Sequence, residues 1–141
     1  PLVYAIFVSP PSFDLRSLGA NDSKLQTEEQ REAFYQAIMQ RGEDQLGWRT
    51  AVISPRTIAQ AMESESGEEN LNTLSYNTVY ELIAGLLEAG VSIEHAYVDT
   101  LGKAETYQAR LKARFPTIPA FTVRSKADSL FPVVGAASIV A

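Results

Sequence analysis

Apolar residues follow two rhythms along this chain. Leu2 to Val8 is an unbroken apolar run rich in β-branched and aromatic side chains, ended by Ser9-Pro10-Pro11-Ser12. Its length and composition predict a buried strand. Gly47 to Ser54, around Trp48 and Ala51-Val52-Ile53, reads as a second strand. Ala96-Tyr97-Val98, closed by Asp99, reads as a third, and Phe121 to Val123 as a fourth. Between them the period becomes helical. Tyr76, Val79, Tyr80, Ile83, Leu86 and Leu87 share one helix face after Ser75, and Phe34, Ala37 and Ile38 share another. Tyr107, Leu111 and Phe115 recur at every fourth position until Pro116 stops the pattern.

Local signals bound these helices. Thr27-Glu28-Glu29-Gln30 is a capping box, with Thr27 as N-cap, Gln30 at N3 and acids in the first turn. It predicts a helix running to about Gly42. Ser54-Pro55 opens a short helix, with Ser as N-cap and Pro at N1. Gly90 suits the C′ position of the helix after Ser75. A loop holding Lys126 and Asp128 leads to a last helix from about Pro132. The order is strand, helix, strand, helix, helix, strand, helix, strand, helix. Such alternation predicts an α/β domain with a mixed, partly parallel central sheet flanked by helices. There is no internal repeat and no linker-like stretch.

Composition narrows the chemistry. The 141 residues are 45% apolar and 21% charged, ordinary for a globular domain. No stretch approaches the roughly 18 apolar residues of a membrane helix, so no membrane partner is expected. With no cysteine, disulfides, cysteine-ligated zinc and thiol nucleophiles are excluded. The single histidine, His95, leaves no poly-histidine metal site, and no Gly-x-Ser-x-Gly elbow is present. A bound metal would therefore take oxygen ligands, as magnesium, manganese or calcium do. Residues 1–90 carry a net −7 and residues 91–141 a net +2. The acidity gathers around Glu63, Glu65, Glu68 and Glu69, read as a solvated surface loop. Lys103, Arg110, Lys112, Arg114, Arg124 and Lys126 could form a local basic patch. The first residue, a proline, leads straight into the first strand, and the final apolar residues carry no capping signal. The sequence therefore reads as an internal segment, residues 1–141 forming part of one domain truncated at both ends.

Three places could carry chemistry. Asp99 follows a short apolar strand, at the carboxyl end where open α/β sheets place their ligand crevices. It is either a cation ligand or a cap of the following turn. Asn21-Asp22-Ser23-Lys24 offers backbone amides, a hydroxyl and an ammonium in one loop, fit for a phosphate or for a plain Asx turn. Lys126-Ala127-Asp128 is equally open. His95 reads as an edge residue beside Glu94, and Trp48 and the tyrosines as core.

Together these residues form a more specific pattern. The run from Tyr97-Val98-Asp99-Thr100-Leu101-Gly102-Lys103 to Leu111 resembles the eukaryotic type 2 ribonuclease H catalytic-subunit family. So does Lys126-Ala127-Asp128-Ser129-Leu130-Phe131-Pro132 with its continuation through Ala136-Ala137-Ser138-Ile139. Asp22-Ser23-Lys24 with Arg31-Glu32, and Asn70-Leu71-Asn72-Thr73-Leu74-Ser75, match in the same order. The resemblance implies a ribonuclease H-like fold and a two-metal endonuclease using Mg2+ or Mn2+. Its substrate would be an RNA–DNA hybrid or ribonucleotide-containing DNA, with roles in replication and ribonucleotide excision repair. Of four family carboxylates, in the order Asp, Glu, Asp, Asp, Asp99 would be the third and a direct metal ligand. The first two would precede Pro1 and the fourth would follow Ala141, so the segment alone is expected to be inactive. Asn21, Asp22, Ser23 and Lys24 would contact a backbone phosphate of the DNA strand, with Lys126 and Asp128 also at the nucleic acid. Two accessory subunits and a nuclear location follow from the same resemblance. Leu25, Gly135 and Val140 depart from the usual family residues without removing a charge. The alternative is a non-catalytic relative of the same fold that binds nucleic acid or acts as a scaffold.

Overall fold

The computed structural model describes residues 2–20, 24–41, 46–63 and 67–141. Among them are four strands: β1 (Leu2–Val8), β2 (Gly47–Ile53), β3 (His95–Asp99) and β4 (Ala120–Arg124). Six helices accompany them: α1 (Glu28–Arg41), α2 (Pro55–Met62), α3 (Gly67–Glu88), α4 (Ala104–Arg114), α5 (Ala127–Leu130) and α6 (Pro132–Val140). A 3-10 turn covers Arg16–Leu18.

The anticipated caps form. Gln30 N–H donates to Thr27 Oγ1 (3.1 Å), and Thr27 N–H donates back to Gln30 Oε1 (3.0 Å), closing the capping box of α1. Thr57 N–H donates to Ser54 Oγ (3.2 Å) ahead of Pro55 in α2. At the end of α3, Gly90 takes φ +89°. Its N–H donates to Leu87 O, and that of Val91 to Leu86 O, the Schellman pairing that a left-handed glycine permits. The proposed stop of α1 at Gly42 lies outside the described residues.

Two features differ from expectation. Helix α3 begins at Gly67, eight residues ahead of Ser75, so Glu68 and Glu69 belong to its first turn and not to a loop. Ser64–Ser66 lie outside the described residues. The apolar pattern is interrupted because two positions on the buried side, Ser75 at the expected start and Thr78 beyond it, are polar. Ser75 is buried where it accepts from Tyr4 Oη (2.6 Å), and buried Thr78 donates to Leu74 O (2.8 Å). The loop holding Lys126 and Asp128 also contains the one-turn helix α5.

The strands pair as two ladders. β1 and β2 are antiparallel, Leu2 opposite Ile53 and Val8 opposite Gly47. β3 and β4 are parallel, His95 opposite Ala120 and Asp99 opposite Arg124. Among the described residues no ladder joins β1 to β3. Helices cover both faces. On one, Phe7 packs with Phe34 and Ile38 of α1 and Ala136 of α6. On the other, Ile6, Ala96 and Val98 meet Ile83 of α3 and Tyr107 and Leu111 of α4. Ile6 and Phe7 are adjacent and face opposite cores, as successive strand residues must. That is why β1 is apolar throughout. The buried i, i+4, i+8 row of α4 is as anticipated, Leu111 being fully enclosed. Its burial contributes about 1.5–3 kcal/mol.

Candidate active site

The parallel pairing of β3 with β4 brings two carboxyl ends side by side. Alternation along β3 turns Ala96 and Val98 into the core and leaves His95, Tyr97 and Asp99 exposed on the other face. Asp99 is therefore an open carboxylate at the rim. The turn after it is held from three sides. Thr100 N–H donates to Arg124 O (3.1 Å), and Thr100 Oγ1 donates to Gly102 O (3.0 Å). Tyr76 Oη of α3 donates to Leu101 O (3.1 Å). Gly102 sits at φ +79°, which lets the chain reverse sharply into α4.

A cleft of about 1440 Å³ opens beside this turn and is lined by Asp99, Thr100, Asp14, Arg49 and Asp128, among others. Asp128 is only 7% exposed, and its Oδ1 accepts from Ser129 N–H (3.1 Å). It belongs to the cleft wall, not the outer surface. Lys126 is exposed and has φ +54°, the left-handed conformation in a residue other than glycine. Its carbonyl accepts from Ser129 N–H (3.1 Å) and Ser129 Oγ (2.8 Å), which fixes the turn.

The structure brings Asp99 and Asp128 to one cleft, with Lys126 two residues from the latter. It does not bring Lys24 there: this exposed residue stands in the turn before α1 and is not part of the cleft lining. Asn21, Asp22 and Ser23 lie outside the described residues. His95 is an edge residue, as read. Its Nε2 is 2.7 Å from Thr122 Oγ1, and its ring stacks on Tyr97 at 4.1 Å, which in turn meets Phe131 at 4.7 Å. Two members of the basic patch are engaged in helix packing. Arg110 lies over Tyr76 (5.1 Å) and Arg114 over Tyr80 (5.3 Å), tying α4 to α3. Among the described residues no three His, Cys, Asp or Glu side chains gather into a metal site. A lone carboxylate such as Asp99 does not by itself make a two-ion centre.

Sequence reading missed the part of Tyr76, whose hydroxyl clamps a turn 25 residues away and so leaves no local signal. It also missed Asp14, which lines the cleft and accepts from Ser17 N–H (3.3 Å).

The model of the family described as Ribonuclease HII matches residues 1–141. The chain belongs to this family. It is 46% identical over 143 residues to a ribonuclease H2 subunit of Rattus norvegicus, covering all of this chain and 46% of that protein. The Homo sapiens protein of the same name is 44% identical, with the same coverage. The chain thus spans about half the length of the curated relatives it matches. Among solved structures, the PCNA:RNase HII complex from Archaeoglobus fulgidus superposes with a TM-score of 0.74. It is 24% identical and covers 98% of this chain and 61% of that one. The ribonuclease H2 of Pyrococcus horikoshii OT3 gives 0.66 at 21% identity, over 99% of this chain and 70% of that one. Both show the fold: the α/β architecture is that of ribonuclease HII proteins.

Proposed function

We propose that this chain is the central part of an endonuclease that hydrolyses the RNA strand of RNA–DNA hybrids and cuts at ribonucleotides embedded in duplex DNA. The observation that carries this reading is Asp99, an open carboxylate at the carboxyl end of β3 beside a broad cleft, in a chain of the ribonuclease HII family. The enzyme depends on a divalent metal, magnesium or manganese. Asp99 is one ligand, and the remaining carboxylates come from outside the described residues. Lys24, with Asn21, Asp22 and Ser23, contacts a backbone phosphate, where a mobile ammonium suits a point contact. Lys126 and Asp128 border the nucleic acid from the β4 side. The 141 residues alone are inactive. The names of the rat and human relatives, each one subunit of an enzyme, support work beside accessory subunits. A nuclear location and a part in replication and ribonucleotide removal belong to the same proposal. No helix among the described residues is long and apolar enough to cross a membrane.

The test is Asp99→Asn in the intact protein, with a hybrid duplex as substrate. Metal-dependent cleavage should be lost while circular dichroism and hybrid binding persist. Near-normal turnover rejects the ligand role. An intact protein that binds hybrid but cleaves nothing, with or without the substitution, is instead a non-catalytic relative.

A further inference from the structure

A reacting carboxylate works only when held within roughly 0.5 Å of its proper place. Asp99 is exposed, so packing of its own side chain supplies little of that hold. The backbone on either side must supply the rest. Ahead of Asp99 the ladder with β4 does so. After it the chain leaves the ladder almost at once. Thr100 N–H still donates to Arg124 O, but Leu101 and Gly102 belong to neither strand nor helix.

A side chain from α3 holds the turn there. Thr100 Oγ1 satisfies the Gly102 carbonyl from within the turn and leaves the Leu101 carbonyl to another donor. Tyr76 Oη donates to it at 3.1 Å, two residues past the carboxylate. A Cβ added at Gly102 would stand 3.8 Å from the same hydroxyl, so the phenol sits against both residues of the turn.

The phenol is itself kept from moving. Its ring lies 5.0 Å from that of Tyr107 and 6.4 Å from that of Tyr80, and the Arg110 guanidinium covers it at 5.1 Å. Tyr107 is fully buried, which anchors the stack in the core between α3 and α4. A donor already fixed by three neighbours gives up little freedom when it bonds. It therefore passes the position of α3 on to the turn.

We propose that Tyr76 is a positioning residue for Asp99: its hydroxyl pins the Leu101 carbonyl and so sets where the carboxylate stands at the rim of the cleft. The inference rests on the reading of Asp99 as a reacting carboxylate of a nuclease. It extends that site to a residue of α3 that acts only through the backbone of the turn. The expected effect is large for one hydrogen bond, because a displacement of about 1 Å at a reacting group can cost about 10²-fold in rate.

Steady-state cleavage of a hybrid duplex by the intact protein tests it, with Tyr76→Phe and, as a control, Tyr80→Phe. Phenylalanine keeps the ring and removes only the hydroxyl, so circular dichroism should be unchanged. Well below Tm, Tyr76→Phe should lower kcat about tenfold with KM within about twofold. Tyr80→Phe, one turn along the same helix and under Arg114 in the same stack, should leave both unchanged. Hydrogen exchange in the metal-free protein gives a second readout. The amides of Leu101, Gly102 and Lys103 should exchange about two- to tenfold faster in Tyr76→Phe, the loss of one hydrogen bond. In Tyr80→Phe they should exchange as in the wild type. An unchanged kcat in Tyr76→Phe overturns the proposal. So does an equal fall in both variants, which assigns the effect to the stack as a whole. A wild-type protein that cleaves nothing fails the nuclease reading instead, and exchange then decides the clamp: faster turn amides uphold it, unchanged ones overturn it.

Discussion

Lys126 shows a side chain held where its backbone is strained. A left-handed conformation costs an L residue about 1 kcal/mol or more, and glycine escapes that cost. Lys126→Gly should therefore keep or raise Tm, whereas a β-branched Lys126→Val should lower it, both read by thermal unfolding. If the ammonium meets nucleic acid, Lys126→Gly should at the same time weaken hybrid binding by the intact protein. Tyr107 gives a second prediction at this scale. Burial, then the neighbouring tyrosines Tyr80, Tyr76 and Tyr4, pushes its hydroxyl well above the ordinary value of 10.0. Above about pH 10 the unfolded chain gives up this proton while the folded chain holds it, so folding loses stability as pH rises. Tyr107→Phe should flatten that alkaline loss in denaturant titrations at successive pH values. The place of Asp99 was legible in the sequence, because an acid that closes a short apolar strand falls at its carboxyl end. The Tyr107 hydroxyl, without a partner among the described residues, was not. Its spacing with Leu111 and Phe115 marks a core position and says nothing of what the ring's polar end meets.

At the scale of elements, local chemistry and packing contribute separately. Thr27→Ala removes the acceptor for Gln30 N–H at the start of α1 and should cost about 1 kcal/mol in chemical denaturation, with the fold unchanged. Leu111→Ala, in the enclosed row of α4, should cost more, about 2–5 kcal/mol, because a cavity remains between α3, α4 and β4. The capping box, the Ser54-Pro55 start and the Gly90 stop were all readable, since each is made by residues within a few positions of one another. The first turns of α3 were not. The buried position just ahead of Tyr76 is Ser75, which is polar and accepts from Tyr4, and a hydropathy pattern cannot see such a partner.

For the whole molecule, charge and topology set the expectations. Residues 1–90 carry a net −7 and residues 91–141 only +2, so the proposed nucleic-acid binding would rest on a few placed cations. Lys24→Ala in the intact protein should reduce the salt dependence of hybrid binding by about one phosphate contact, read from affinities across a salt series. Most elements, most of their ends, the α/β class and the carboxylate closing the third strand were readable from the chain alone, because these depend on neighbours along it. Folding in three dimensions settled which strands pair, that among the described residues β1 and β3 do not, and that Asp99 and Asp128 share a cleft that Lys24 does not line. Pairing and clefts depend on contacts between distant segments, and a strand's own residues carry its pleat but not the identity of its neighbour.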